Sequence, residues 1–286
     1  MKDLKIYCPN DFIFIDNANE SDVIITNDVF PNYLKNINKV KVKRMDGVYW
    51  QEQFKERNIP LNESAQIADL VIFISEFSKN SYFNLYGNAL KNNVVIKNNA
   101  DSNIFKNLNN KPKDKIYLCA SASNWTRPEK RLSSIIKLIE YHPNKKIHLN
   151  LIGEVKQKLP NNVTSFGYTE NQNKMSEIMN MSNIFVNFSY KDACPKTVIQ
   201  SLHCGLPVLY ADSGGVREMV GGNGFGIIDS KTFEFEDMIP PELNIANMIV
   251  GLDYIINNYD KLIPTPEKYE IAIQKYFNSI RNLLDK

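Results

Sequence analysis

The chain has 286 residues, of which 43% are hydrophobic and 23% charged, with a formal net charge of +2. That length predicts two domains with sizeable cores, and a near-neutral chain without a basic stripe excludes a nucleic-acid surface. The opening MKDLKIYCPNDF lacks the basic-then-apolar order of a signal peptide, and no apolar run reaches the ~18 residues of a membrane span, so the chain reads as cytoplasmic.

Residues 4–8 and 22–26 read as short strands, and 40–44 as a third. A strand end then runs into the aromatic loop Arg44-Met45-Asp46-Gly47-Val48-Tyr49-Trp50. Two readings stand here. Arg44, Asp46 and Tyr49 face a ligand, as groups beyond the carboxyl ends of strands do in open α/β sheets. Alternatively, Asp46-Gly47 is only a turn, and the aromatics are core. A buried strand follows at 68–75, and Ser75-Glu76-Phe77-Ser78 caps a helix that continues through Tyr86 and stops at Gly87. Residues 94–96 form another strand, and the polar, Pro-containing stretch NLNNKPKDK at 107–115 predicts an interdomain linker.

A second α/β unit opens with a strand at 116–120, and the turn 121–130 leads into a helix with Leu132, Ile135, Ile136 and Ile139 inward. Strands at 147–152, 163–166 and 184–188 follow, with an amphipathic Met175/Ile178/Met179 helix between the last two. This alternation predicts a parallel, doubly wound sheet. Pro195 sits where a first helical residue would, Val198, Ile199 and Leu202 recur at helical spacing, and Gly205 is a C′ stop. Lys196, Gln200 and His203 share the opposite face at i, i+4, i+7. A strand at 207–211 runs into the tight turn Asp212-Ser213-Gly214-Gly215 and another helix start. A loop feeding a helix N-terminus offers backbone N–H groups and a positive dipole end, which suits a phosphate. The end is helical: Ile245, Met248, Ile249, Leu252, Ile255 and Ile256 form one stripe. Thr265 reads as an N-cap with Pro266 at N1, ahead of a second stripe through Tyr269, Ile273, Tyr276, Phe277, Ile280 and Leu284.

Cys8, Cys119, Cys194 and Cys204 show no C-x-x-C spacing and read as structural thiols rather than disulfides. His142, His148 and His203 lack zinc-ligand spacing, no D-x-D occurs, and the acidic run Glu234-Phe235-Glu236-Asp237 reads as a solvated loop. No metal site is expected, and no cofactor.

The segment 184–228 resembles the donor-binding segment of the retaining nucleotide-sugar glycosyltransferases of family four, which have the GT-B fold. Asp192…Gln200 stands in register with their E-x7-E, Cys204-Gly205-Leu206-Pro207-Val208 with C-G-x-P-V, and Gly214-Gly215-Val216-Arg217-Glu218 with G-G-x-x-E. The variant D-x-C-P-x-x-V-x-E is similar through Asp192-Ala193-Cys194-Pro195, with Gln200 replacing its final Glu. Upstream, 68–105 resembles the tract that closes the family's N-terminal domain, with Asn98, Asp101 and Phe105 matching. The 125–132 stretch resembles a W-R-P-x-K-R-L tract, and 44–50 an R-x-D-G-x-Y-Y stretch, which tips the first loop toward function.

The resemblance implies two Rossmann-like, doubly wound domains facing a cleft. An acceptor-side domain would span 1–110, with 265–286 crossing back to pack on it, and a nucleotide-sugar domain would span 111–264. It implies that Lys130, with Arg127 in place of the family's usual Arg, contacts the donor diphosphate together with Lys196, Thr197 and Val198 at the helix start. Asp192 would hold the hexose and Gln200 the ribose; Asp192 and Lys130 are the catalytic pair. Arg44, Asp46 and Tyr49 would lie on the acceptor side. The expected partners are a UDP- or GDP-linked sugar and a glycan, glycolipid or glycoprotein acceptor, with peripheral membrane contact left open. The expected activity is metal-independent hexosyl transfer with retention. Gln200 and the lack of any histidine before His142 keep two alternatives: a weak or inactive GT-B binding protein, and a sugar-nucleotide epimerase of the same fold.

Overall fold

Short aliphatic runs become the strands of two separate parallel sheets in the computed structural model, which describes residues 4–5, 7–87, 89–230, 233–236 and 239–285. The chain divides into two units. Unit 1 comprises Met1–Asn98, Phe233–Asp237 and Glu267–Lys286; unit 2 comprises Asn99–Thr232 and Met238–Pro266.

Unit 1 holds β1 (Val23–Thr26), β2 (Val40–Met45), β3 (Leu70–Phe73) and β4 (Asn93–Val95), all parallel and in that spatial order. The connections carry α1 (Asn32–Lys35), α2 (Asn58–Ile67) and α3 (Glu76–Tyr86). Helix α3 starts as its sequence predicts, on a reciprocal capping box between Ser75 and Ser78. Alternate residues of each strand go to opposite faces. Val42, Leu70 and Ile72 pack against the C-terminal helix, residues 269–284, while Val71 and Phe73 pack with Ala65 and Tyr82. The sequence reading differs at 4–8: Leu4 and Lys5 are helical, and Ile6 lies outside the described residues. Leu4 drops into the core beside Phe277, so its apolar side chain is buried without joining the sheet.

Unit 2 holds β5 (Ile116–Asn124), β6 (Ile147–Glu154), β7 (Val163–Ser165), β8 (Ile184–Asn187), β9 (Val208–Asp212) and β10 (Gly224–Ile228). Their spatial order is β10-β9-β8-β5-β6-β7, again all parallel. On one face α4 (Leu132–Tyr141) and α8 (Ile245–Asn257) cover Leu118, Leu149, Val186 and Leu209. On the other, α5 (Gln172–Asn180), α6 (Lys196–His203) and α7 (Val216–Val220) cover Cys119, Phe185, Val208 and Tyr210. A parallel sheet buried on both faces explains why these strands are near-continuous apolar runs. None of the four cysteines is in a disulfide.

Four further expectations move. The boundary falls at Asn98/Asn99 rather than near 110, because Ala100 and Phe105 are buried in the unit 2 core. The polar 107–115 stretch is bound to that unit, with Leu108 N–H donating to Asn180 Oδ1 (3.1 Å) and Asn183 Nδ2 to the Pro112 carbonyl (3.0 Å). The C-terminal helix α9 (Tyr269–Leu284) begins after Lys268 with no side-chain cap, so Thr265 and Pro266 lie in its extended approach. Two prolines, Pro264 and Pro266, bias the residues before them away from the helical region. Around 233–236 the chain is no solvated loop: Glu236 N–H donates to the Trp50 carbonyl (3.0 Å), and the Phe233 and Phe235 rings pack on Trp50. Asp237, the last residue of that acidic run, lies outside the described residues. Among the described residues no helix is long and apolar enough to cross a membrane.

Candidate functional site

The order of the unit 2 sheet decides where a site can form. From β5 the chain moves outward to β6 and β7, then returns to β8 on the other side of β5. The loops leaving β5 and β8 therefore diverge, and the carboxyl ends of such strands open a crevice at the point of reversal. After β5, the Trp125 indole N–H donates to the Ile152 carbonyl (2.9 Å), fixing the loop on β6. A 3-10 turn, Pro128–Lys130, follows, and Arg131 takes a left-handed conformation (φ 53°) before α4 begins. After β8, Tyr190 N–H donates to the Glu129 carbonyl (2.8 Å), tying the two loops together.

Across that tie, Lys130 Nζ lies 3.0 Å from Asp192 Oδ2 and 3.4 Å from Ser189 Oγ. The two side chains are 18% and 23% exposed, so the pair is reachable yet partly desolvated. The loop after β9 braces it from below. Gly215 N–H donates to the Asp192 carbonyl (3.0 Å), and Lys191 N–H to Ser213 Oγ (3.2 Å). A Cβ on Gly214 would stand 2.3 Å from the Asp192 carbonyl oxygen, so only glycine permits this approach.

Helix α6 starts four residues beyond Asp192. Pro195 is extended (φ −65°, ψ 115°) and precedes the helix instead of opening it. Helix geometry leaves the Lys196 and Thr197 amides without an intrahelical carbonyl. Val198 differs: its N–H donates to the Pro195 carbonyl (3.0 Å) and its side chain is fully buried. Of the polar face, Lys196 is exposed and a His203 ring nitrogen lies 2.9 Å from Asn99 Oδ1. Gln200 Oε1 is buried and has no hydrogen-bond partner among the described residues. Arg127 is not gathered with Lys130; its guanidinium binds the neighbouring Glu129 carboxylate (Nε–Oε1 2.7 Å). Arg217 binds Asp212 Oδ2 (Nε 2.9 Å), which raises the guanidinium's pKa.

The Arg44, Asp46 and Tyr49 group belongs to unit 1. Arg44 pairs with Asp46 (2.9 Å) and donates to Asn98 Oδ1 (2.9 Å), while Trp50 is core and the Tyr49 ring lies under Arg57. Sequence reading missed Ser189 and did not foresee the burial of Arg131. Arg131 is buried and bidentate to Asp229, whose place 98 residues downstream gives no local signal. Among the described residues no group of three or more His, Cys, Asp or Glu side chains is placed to hold a metal ion.

Residues 101–232, which carry Lys130, Ser189, Asp192 and Gln200, match the family model described as glycosyl transferases group 1. Over those residues the chain is similar to group 1 glycosyltransferases. Solved structures agree on the architecture, that of GT-B glycosyltransferases. Sucrose-phosphate synthase from Thermosynechococcus elongatus is similar at TM-score 0.67 and 15% identity, over 88% of this chain and 69% of that one. A glycosyltransferase from Rickettsia africae has TM-score 0.63 and 16% identity, over 92% and 77%. Anabaena HepE, solved in complex with UDP, has TM-score 0.62 and 18% identity, over 85% and 72%. No curated protein sequence matches the chain. Within the matched residues the Lys130–Asp192 pair sits where the two halves of the unit 2 sheet part.

Proposed function

We propose that the domain binds a nucleotide-diphosphate sugar over the Lys130–Asp192 pair and transfers its hexose, with retention and without a metal ion, to a glycan, glycolipid or glycoprotein. The observation that carries this reading is the 3.0 Å ion pair at the point of strand reversal, one loop away from the α6 N-terminus. The UDP bound to the Anabaena relative supports a nucleotide-linked donor.

Each group has a task the chemistry requires. As the bond between sugar C1 and the diphosphate oxygen breaks, negative charge gathers on the departing diphosphate. The Lys130 ammonium and the Lys196 and Thr197 amides neutralise it, and such preorganised contacts are worth most where water is excluded. Asp192 accepts from hexose hydroxyls, and Gln200 Oε1 accepts from the ribose. The new bond forms from the acceptor oxygen to C1 on the face the diphosphate leaves, and a phosphate oxygen takes the acceptor's proton. Binding of the donor must share or replace the Lys130–Asp192 contact, so the pair holds both groups in place until the ligand arrives.

A panel of UDP- and GDP-linked sugars, assayed for liberated nucleotide with and without EDTA, tests the reading. The wild type is expected to turn over one of them in chelator, and Asp192→Ala to abolish that turnover. Turnover lost to chelator and restored by manganese would remove the metal-independent mechanism. Conversion of the free nucleotide sugar to an epimer without an acceptor would replace transfer with epimerisation. Binding without turnover would leave a nucleotide-sugar-binding protein.

A further inference from the structure

We infer that Arg131 is a positioning residue that sets both members of the Lys130–Asp192 pair, its main chain carrying one and its side chain the other. The inference rests on the reading of Lys130 as the diphosphate contact.

Arg131 has a left-handed backbone (φ 53°, ψ 44°), a conformation L side chains rarely adopt. Its N–H donates to the Pro128 carbonyl (3.0 Å), which closes the turn that presents Lys130. Its side chain then runs the opposite way, into the interior. Nη1 and Nη2 grip Asp229 Oδ2 and Oδ1 at 2.6 and 3.1 Å, and both side chains are nearly inaccessible, at 3% and 2% exposed. Nη1 also donates to the Phe188 carbonyl (3.3 Å), Nη2 to the Pro241 carbonyl (2.9 Å), and the guanidinium lies 5.0 Å from the Tyr190 ring centroid. Phe188 and Tyr190 flank Ser189, which touches Lys130, and they lead directly to Asp192.

A buried ion pair contributes little stability over a well-packed apolar pair, because desolvation offsets the attraction. A left-handed arginine adds a conformational cost. What the arrangement gains is geometry: a planar fork with several donors fixes two loops at once, which a lysine's point charge cannot do.

Calorimetric titration with UDP and GDP identifies the tighter diphosphate, which is then compared with its nucleoside in four proteins. These are wild type, Lys130→Ala, the double variant Arg131→Met/Asp229→Leu, and the three changes combined. The double variant replaces the pair with apolar side chains and leaves no buried charge behind, so its Tm is expected near that of the wild type. Lys130→Ala and the double variant are each expected to weaken the diphosphate about tenfold, the loss of one charge-assisted contact, and the nucleoside less than about twofold. The combined variant is expected to bind like Lys130→Ala alone, since Arg131 acts through Lys130. Arg131→Lys, which keeps the buried charge, is the second variant and is expected to show the same diphosphate-selective loss. Diphosphate affinity retained in both Arg131 variants, equal losses for diphosphate and nucleoside, or losses that add to that of Lys130→Ala would each overturn the positioning role. Unchanged diphosphate affinity in Lys130→Ala, or no binding by the wild type, would instead overturn the diphosphate reading and take the positioning role with it.

Discussion

Gln200 carries a tension that a single substitution exposes. Its amide oxygen is buried with no hydrogen-bond partner among the described residues, a state that costs stability unless a ligand donor fills it. On the proposed reading that donor is a ribose hydroxyl. Gln200→Glu is therefore expected to destabilise the ligand-free protein by about 1–3 kcal/mol, the cost of an unsatisfied buried group. The same change is expected to tighten the nucleotide sugar by on the order of 1 kcal/mol, because a charged acceptor bonds more strongly. Denaturation and titration of the two proteins measure both effects; stability that falls while affinity stays level would remove Gln200 from the ribose. In unit 1, Lys43 is fully buried with Nζ donating to the Asp28 carbonyl (2.6 Å), and burial lowers its pKa from 10.5 to about 8 against the pull of Asp28 and Asp46. Between about 8 and 10.5 the unfolded chain holds a proton that the folded unit has shed. Stability relative to Lys43→Met is thus expected to be flat below that window and to rise across it by roughly 3 kcal/mol, at ~1.36 kcal/mol per unit. Urea unfolding of both proteins at pH 7 and pH 10 reads the difference, and a constant gap would mean that Lys43 stays charged throughout.

The turn after β9 shows how an element can serve a site it does not line. Gly214 lies against the backbone of Asp192, and Gly215 N–H holds the Asp192 carbonyl. Gly214→Ala would push the Asp192 loop away from Lys130 while leaving β9 and α7 their own contacts. Its expected signature is a drop in turnover of about 10²-fold, as for an ångström of misplacement, with Tm within a few degrees of wild type. Full turnover in this variant would show that the loop tolerates displacement. The glycine pair was visible in the sequence as a tight turn, and Lys130 and Asp192 were visible through the motifs around them. What the turn braces was not, because the approach of Gly214 to Asp192 depends on β8 and β9 being neighbours. Arg131 and Asp229 were hidden for the same reason: a bidentate pair 98 residues apart has no periodicity to betray it. Residues 4–8 read as a short strand, but Leu4 found its burial against α9 instead. Local pattern reports that a residue is buried, and only the assembled core decides what buries it.

At the scale of the molecule, unit 1 is built from three pieces of chain, Met1–Asn98, Phe233–Asp237 and Glu267–Lys286. Tyr269, Ile273, Tyr276, Phe277 and Ile280 of α9 cover Val42, Leu70 and Ile72, and Arg281 clasps Asp11 (2.7 and 2.8 Å). Five large side chains at about 1.5–3 kcal/mol each exceed the few kcal/mol by which a small domain is stable. Removing residues 267–286 is accordingly expected to abolish amide protection in β1–β4 while β5–β10 keep theirs. Hydrogen exchange on the truncated chain tests this, and protection surviving in β1–β4 would mean that α9 is dispensable. The same discontinuity reaches back to the making of the protein. A ribosome that has finished residue 98 must add about 170 more before the first of α9 emerges, roughly 10–30 s at ~5–20 residues per second. Unit 2 can close as soon as residue 266 is out, so the unit written first is completed last. During that delay the β1–β4 strands wait with Val42, Leu70 and Ile72 uncovered. The interval is a window in which a chaperone, rather than the chain itself, has to shield them.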